Sequence, residues 1–253
     1  MPGAPAGDGT GRARLRVATC NVRELLDDGR ALREVLRAAA ADVLCLQEVP
    51  THPLAVHRLG DLATDTGLQV VAAGRAGAGA AVLAAARVDV RAAAVRALPT
   101  PRLRARRPVR RRGTAEALVR VPAGAGWSVP VLVRSVHLGL DADERVDHAL
   151  RLLRPAGAVC SGAPLVLAGD LNEEPGGLAR AVLTSRLHDA AELAGGPFAT
   201  FPARAPRRRL DAVLADARLA VAAVGTPDVP GAATATDHLA VVADLLVPVA
   251  GGA

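Results

Sequence analysis

The stretch "VLAGDLNEEPG", Val166 to Gly176, starts as an apolar run and ends in a crowd of oxygen-bearing side chains. Together with Pro164 and Leu165, its first half has the length and character of a buried strand. Asp170, Asn172, Glu173 and Glu174 then follow within five residues. Two readings are open: an ordinary solvated loop, or a strand that aims carboxylates at something positive. Gly169 reads as the residue that lets the chain turn tightly. Asp170 and Asn172 alternate, so both are expected on one side. Glu173 and Glu174 lie past them and read as rim residues.

Similar strand ends recur outward from this point. "LRVATCN" ends at Asn21, "DVLCLQEV" at Gln47 and Glu48, and "VPVLVRSVHL" at His137. Asp211 sits inside the apolar run "RLDAVLAD", and Asp237-His238 precede "HLAVVADLLV". Further short strands are expected at "LQVVAA", "GAAVLAA", "VDVRAAAVRAL", "TAEALVRVP" and "LAVAAV", separated by turn residues. "GRALREVLRAAA" has apolar residues at helical spacing (Leu32, Val35, Leu36, Ala39). "DADERVDHALRLLRPAGAVC" reads as a second helix, capped by Asp141 or Asp143, with Val146, Leu150 and Leu153 inward. A third helix is expected near Leu178 to Thr184. The pattern implies one layered α/β domain over residues 14–250 after a flexible tail, 1–13. Polar residues at strand ends are where such proteins assemble sites.

The chain has 253 residues, 51% of them hydrophobic, enough for one sizeable core. Aromatics make up only 1%, so Ala, Val and Leu must fill it. All 31 cationic side chains are Arg, and the net charge is +6. Much of that charge lies in "PRLRARRPVRRRG", Pro101 to Gly113, which fits a phosphate-facing loop or a solvated one equally. No aromatics interleave these arginines, so base stacking has no support there. Three widely spaced cysteines (Cys20, Cys45, Cys160) offer neither a disulfide framework nor a zinc pattern. A reducing, cytoplasmic setting fits, with no secretory leader and no transmembrane segment expected.

Taken singly, Glu48 is an ordinary strand-end carboxylate and His137 an ordinary core histidine. Asp211 is more telling, since a carboxylate in a buried strand is costly unless paired. As a set, the acids, amides and imidazoles form the kit for metal-assisted phosphoester chemistry. Hard cations take oxygen ligands, and the reaction needs a base for water and donors for the phosphoryl oxygens.

Six motifs occur in order: "TCNVRE", "LCLQEV", "SVHLGLDADERVDHA", "VLAGDLNEEP", "RRLDAVLAD" and "TATDHLAVVADL". Together, over roughly Leu15 to Leu246, they resemble the endonuclease/exonuclease/phosphatase superfamily, with its deoxyribonuclease-I-like fold. The resemblance implies a four-layer α/β/β/α sandwich of two packed mixed β-sheets, with the site at one sheet edge. It also implies a Mg²⁺- or Mn²⁺-dependent hydrolase of phosphoester bonds. By motif, Glu48 is then the main metal ligand with Asn21 beside it, and Asp237 holds a second or alternative metal position. Asp170 orients or deprotonates the attacking water, and Asn172 donates to the phosphate. His238 stabilises the phosphate, with Asp211 on its other ring nitrogen, and His137 is a further donor or leaving-group acid.

There are departures. Many nucleases of the family carry an acid where this chain has Arg23, which puts a second metal contact there in doubt. Ala84 and Ala85 stand where relatives often have polar residues. With no Tyr in the chain, Arg111 or Arg112 is assigned the phosphate contact that some relatives make with one. Phe198 and Phe201 are taken as core caps, in preference to the site-packing role of the family's Thr-Phe pair. The partner is a phosphoester substrate, nucleic acid included, and the chain is taken as a monomer. The alternative is a catalytically weakened phosphate- or nucleic-acid-binding domain of the same fold.

Overall fold

Side-chain alternation along each strand decides the layering. In β1 (Arg12–Asn21), Ala13, Leu15 and Val17 point into one apolar layer, while Ala18 and Cys20 point into another. A strand that is apolar on both sides has to be covered on both sides. The computed structural model describes residues 11–53, 56–99, 110–154, 162–196 and 198–251, and it meets that demand with four layers.

The first sheet has six strands in the order β13-β14-β1-β2-β4-β3. Here β2 is Val43–Gln47, β3 Leu68–Ala73, β4 Ala81–Ala85, β13 Ala220–Gly225 and β14 Val241–Pro248. The second six-stranded sheet runs β11-β12-β10-β9-β6-β5. Its strands are β5 (Asp89–Ala97), β6 (Gly113–Arg120), β9 (Val131–His137), β10 (Leu165–Asp170), β11 (Leu187–Asp189) and β12 (Asp211–Asp216). A small ribbon pairs β7 (Pro122–Ala123) with β8 (Gly126–Trp127). Each large sheet is mixed, with one parallel pair inside it: β1 with β2, and β9 with β10.

Between the sheets lie Leu15, Val17, Val43, Val82, Val133, Val166 and Val213, among others. Outside the first sheet, α1 (Gly29–Ala39) and α2 (Val56–Thr66) cover Leu44, Leu46 and Leu83. Outside the second, α3 (Ala142–Leu152) and α4 (Leu178–Thr184) cover Val136, Leu167 and Leu214. Each fully buried leucine contributes roughly 2 kcal/mol of transfer free energy. Two short helices, α5 (Ala190–Ala194) and α6 (Ala232–Ala235), complete the described α-helices. No described helix is long and apolar enough to cross a membrane. Cys20 and Cys45 are free and buried, and burial pushes both thiols up; Cys160 lies outside the described residues.

Local expectations hold in kind, with corrections in detail. Asp28 caps α1 by accepting from the Arg30 and Ala31 amides, and Asp141 caps α3 in the same way. Between Pro50 and Gly67 no element is expected from the sequence, yet α2 fills that gap and buries Leu59, Leu62 and Ala63. In α3, Val146 and Leu153 pack against the core as expected, joined by His148, Ala149 and Leu152, whereas Leu150 is half exposed at 52%. His148 is held on that inner face by Nε2, 2.9 Å from Pro99 O. β1 begins at Arg12, because its antiparallel partner β14 runs on to Pro248.

Gly169 also has a different role. It lies within β10, and a Cβ there would meet Val136 O of the neighbouring strand at 1.9 Å. Close approach of the β9 and β10 backbones is what requires glycine. The turn comes later, at Asn172, whose φ is +49°.

Candidate active site

The strand register assembles the site. Positions 13, 15 and 17 of β1 face the inter-sheet layer, and the same parity carries Thr19 and Asn21 inward at its end. Val43 and Cys45 do likewise for Gln47, Val131 and Val133 for Ser135 and His137, Val166 and Ala168 for Asp170, and Val213 and Ala215 for Asp211. Asn21 pairs in register with Gln47, and Asp170 with both His137 and Asp211. One apolar layer therefore turns polar at one edge, in both sheets at once.

Thr19, Gln47 and Ser135 make the transition. Thr19 Oγ1 donates to Gln47 Oε1 at 3.1 Å, Gln47 Nε2 to Ser135 Oγ at 3.0 Å, and Ser135 Oγ to Leu46 O at 2.8 Å. This fully buried chain ties one sheet to the other beneath the site. Thr19 and Ser135 were not singled out from the sequence. Their signal is the inward parity of a polar residue, which needs the sheet assignment first.

Above them, Asn21 Nδ2 donates to Asp170 Oδ2 at 3.1 Å and to Glu48 Oε1 at 3.2 Å. Asn21 Oδ1 accepts from the Arg23 amide at 3.0 Å, which fixes the orientation of the side chain. Two carboxylates from different sheets thus converge on one amide. Asp170 is buried, while the Glu48 side chain keeps 25% of its surface exposed. Seven non-glycine residues in the described chain have positive φ, and five of them (Arg23, Glu24, Leu25, Glu48, Asn172) lie in the loops that carry these groups. Backbone in that region costs energy for Arg, Glu and Leu, and its concentration here is a mark of a functional edge.

His238 Nδ1 lies 2.8 Å from Asp211 Oδ2, and its Nε2 lies 3.8 Å from Asp170 Oδ2. Burial by itself lowers the pKa of this imidazole. The charge and hydrogen bond of Asp211 outweigh that, with Asp170 and Asp237 behind them, and raise it to about 9. The ring is therefore an imidazolium at neutral pH, with Nε2–H free to donate. Asp170 is pushed the other way for an acid, up to about 6. Burial and the charge of Asp211 raise it, against His238 and the donors Asn172 N and Asn21 Nδ2.

His137 is the contrasting imidazole. Burial, then the charges of Arg112, His238 and Arg110, hold its pKa well below the usual histidine value. Its approaches to Asp170 Oδ2 (3.4 Å) and Glu48 Oε1 (3.9 Å) are consequently polar contacts of a neutral ring, not ion pairs. Arg112 Nη1 donates to Nδ1 at 3.2 Å, which leaves the proton on Nε2. Asn172 Nδ2 lies 3.0 Å from the same protonated Nε2, donor facing donor, and its hydrogen bond goes to Leu138 O at 2.9 Å.

Several neighbours play other parts than expected. Phe201 lies against His238 with ring centroids 4.8 Å apart, tilted by 45°. Thr200, fully buried, accepts at Oγ1 from the amides of Leu210 and Asp211. The Thr-Phe pair therefore packs at the site; only Phe198 packs against the core as a cap. Glu173 is no rim residue. It is buried and accepts from Arg145 Nε and the Arg180 amide, fixing the first turn of α4 to the loop of Asn172. Glu174 is a surface partner of Arg208. Asp237 stands apart from the cluster, 37% exposed at its side chain, with Arg23 Nε 3.7 Å away. Arg111 is exposed and lines a cavity beside the site, whereas Arg112 is buried against His137. Residues 100–109 of the arginine-rich segment lie outside the described residues.

Two packed mixed sheets with helices on both outer faces, and a His–Asp pair and converging carboxylates at one edge, define a deoxyribonuclease-I-like α/β sandwich. The Endonuclease/Exonuclease/phosphatase family model matches residues 18–238, and the chain belongs to that family. A comparison with curated proteins returns no significant match. Among solved structures, a family protein from Bacteroides thetaiotaomicron is similar at TM-score 0.76 and 18% identity, over 93% of this chain and 98% of that one. A mannosyl-6-phosphatase from the same organism is similar at TM-score 0.71 and 18% identity, over 91% and 99%. The human Nocturnin catalytic domain is similar at TM-score 0.65 and 17% identity, over 96% and 100%. At these identities the structures speak for the fold alone.

Proposed function

We propose that the chain is a divalent-cation-dependent phosphoester hydrolase that uses direct in-line attack of water. The observation that carries this reading is the convergence at one edge of an ionisable base, Asp170, and a charged donor, His238, held by Asp211 at 2.8 Å. Family membership supports it, since the family's members hydrolyse phosphoester bonds.

The residues present fit a hard cation. Glu48 and Asp170 bring oxygens to one amide, Glu48 opens to solvent, and the buried Asp211 Oδ1 has no hydrogen-bond partner. Asp170, Asp211 and His238 form a described cluster with ligand atoms within 4.8 Å of one another. We read that cluster as a proton-handling group, because its imidazole is already bonded to Asp211 and charged. Glu48 with Asn21 would hold Mg²⁺ or Mn²⁺. Asp237 is the weaker metal position, because a guanidinium already stands beside it. A bound divalent cation neutralises charge on the phosphoryl and leaving oxygens.

The chain's own groups then divide the work. Asp170, as carboxylate, accepts the proton of the attacking water. A base with a pKa near 6 is ionised at neutral pH and still basic enough for this task. His238 Nε2–H donates to a phosphoryl oxygen as charge builds there, and Asp211 keeps it protonated. His137, neutral with its proton on Nε2, donates a second hydrogen bond. As it carries no extra proton, it serves as a donor and not as the acid for the leaving group. Asn172 lies beside it and completes the row of donors.

The test is a panel of phosphomonoesters and phosphodiesters with Mg²⁺ and Mn²⁺, using Asp170→Ala as the blank. Glu48→Ala, Asp170→Ala and His238→Ala are each expected to abolish cation-dependent turnover. Wild-type-like hydrolysis by Asp170→Ala would overturn the mechanism. Phosphate binding without cleavage of any ester, under either cation, would instead favour a binding domain of the same fold.

A further inference from the structure

Beside the site lies a cavity of about 340 Å³ with an unusual lining. Arg75, Arg111 and Arg112 surround it, over a floor that includes Ala78 and Leu98. Arg75 belongs to a single helical turn, Arg75–Gly77, between β3 and β4. This turn is locked against the start of β6, because a Cβ at Gly113 would meet Ala76 O at 2.1 Å. The loop then runs on to Gly79, whose Cβ position lies 3.4 Å from Glu48 Cα. On the opposite side, Arg112 Nη1 touches His137. The cavity is thus linked to Glu48 through the loop of Ala78 and Gly79, and to His137 through Arg112.

The electrostatics call for an occupant. Arg112 is more than nine-tenths buried at 8% exposure, and its Nε has no hydrogen-bond partner. A buried guanidinium N–H without an acceptor is unfavourable. Among the described residues, Arg75 and Arg111 make no side-chain hydrogen bond or ion pair, and no carboxylate lies within ion-pair distance of Arg112. The other buried arginines among the described residues are paired with acids, Arg134 with Glu116 and both Arg180 and Arg209 with Asp189. Three unmatched guanidinium groups around one cavity create a local positive field, and their planar forks suit phosphate oxygens.

We propose that this cavity is a second-phosphate subsite. The substrate carries a further phosphate next to the scissile one, held by Arg75 and Arg111 with Arg112 beneath. This inference rests on the hydrolase reading for its catalytic half. The second phosphate can come from the adjoining linkage of a nucleic-acid strand or from a small bisphosphate. Its recognition chemistry is the same in both.

Two measurements on the full chain test it. Rates are compared for thymidine 5′-(p-nitrophenyl phosphate) with and without a 3′-phosphate, in wild type and in Arg75→Ala/Arg111→Ala. Both replaced side chains are exposed, so the core is untouched. Wild type is expected to favour the 3′-phosphorylated ester by about tenfold in kcat/KM, and the double variant to lose that ratio. A wild-type ratio near one, or a ratio that survives the double substitution, overturns the subsite. A thymidine tetranucleotide in parallel identifies the source: the same arginine-dependent advantage assigns a strand, and its absence a small bisphosphate. Calorimetric binding of adenosine 3′,5′-bisphosphate against adenosine 5′-monophosphate, in chelator, removes turnover from the question. An arginine-dependent preference without any ester cleavage keeps the subsite and rejects the hydrolase. Equal binding of the two nucleotides rejects the subsite whatever the turnover.

Discussion

Two buried clusters of charge interleave along the chain, and they are built on opposite plans. In one, Asp189 accepts from Arg180 Nη2 at 2.7 Å, from Arg209 Nη1 at 2.9 Å, and from the Ala191 amide at 3.0 Å. Arg209 reaches Glu192 as well, and Arg180 reaches Glu173 O. Each carboxylate oxygen is matched, and the cluster clamps α4, β11 and α5 to the loop before β12. In the other, Asp170 and Asp211 share one cation, His238. Asp211 Oδ1 is left without a partner, and Asp170 is pushed up to about 6. Both are buried acid–base groups, so burial alone does not mark a site. An unmatched carboxylate oxygen does, because it leaves capacity for a ligand and a proton, whereas the Asp189 cluster leaves only the Nε atoms of Arg180 and Arg209 without a partner.

Replacing the key acid of each cluster should separate the two plans. Asp170→Asn is expected to lower kcat by roughly 10²- to 10⁴-fold, the usual worth of a positioned general base. The same change should leave stability in chelator equal or higher. The sign follows from the shift: an acid raised from 3.8 to about 6 in the fold costs stability as pH climbs through that range, and Asn removes the cost. Asp189→Ala should do the reverse, costing about 3–5 kcal/mol by stranding two buried guanidinium groups, with kcat per folded molecule retained. Urea denaturation and steady-state rates on both variants check the pair. A stability loss below about 1 kcal/mol for Asp189→Ala, well under the usual worth of a buried ion pair, would erase the distinction.

The pH dependence sharpens the same contrast. Asp170 must be ionised and His238 protonated, so kcat/KM should rise through about pH 6 and fall through about pH 9. For stability, the raised His238 contributes fully below its ordinary value of 6.5 and loses that contribution as pH rises through about 9. Asp211→Asn removes the main support of the imidazolium. The falling limb should then move down by more than one pH unit while the rising limb moves less. An unmoved falling limb would show that His238 is not the group titrating there.

The division between what could and could not be read from the sequence follows the same physics. Asn21, Glu48, His137, Asp170, Asp211 and His238 stand at strand ends in motifs, and the register brings them to one edge. Glu173 reads as a rim residue in the sequence because its partners, Arg145 and the Arg180 amide, come from α3 and α4, and nothing local announces such a contact. Gly169 was assigned a turn, whereas its need arises across the sheet, at Val136 O. Thr19 and Ser135 look like ordinary polar residues in apolar strands. Only the inward parity of both sheets shows that they carry the hydrogen-bond chain under the site. The layering was legible because alternation is a local property, and the second contacts were not because they are long-range.

The smallest predicted effect concerns Phe201, which reads as a core cap in the sequence. Its ring centroid lies 4.8 Å from that of His238, so it limits how far the imidazolium can swing. An aromatic contact of this kind contributes about 0.5–1.5 kcal/mol, or roughly two- to tenfold in rate. Phe201→Leu keeps most of the apolar volume and is expected to lower kcat by that factor, with KM and the falling pH limb nearly unchanged. Phe201→Ala should add a loss of stability from the emptied volume. If Phe201→Leu instead shifted the falling limb as far as Asp211→Asn, the ring would be setting the charge of His238 and not its position. The partition of roles between Asp211 and Phe201 would then have to be reversed.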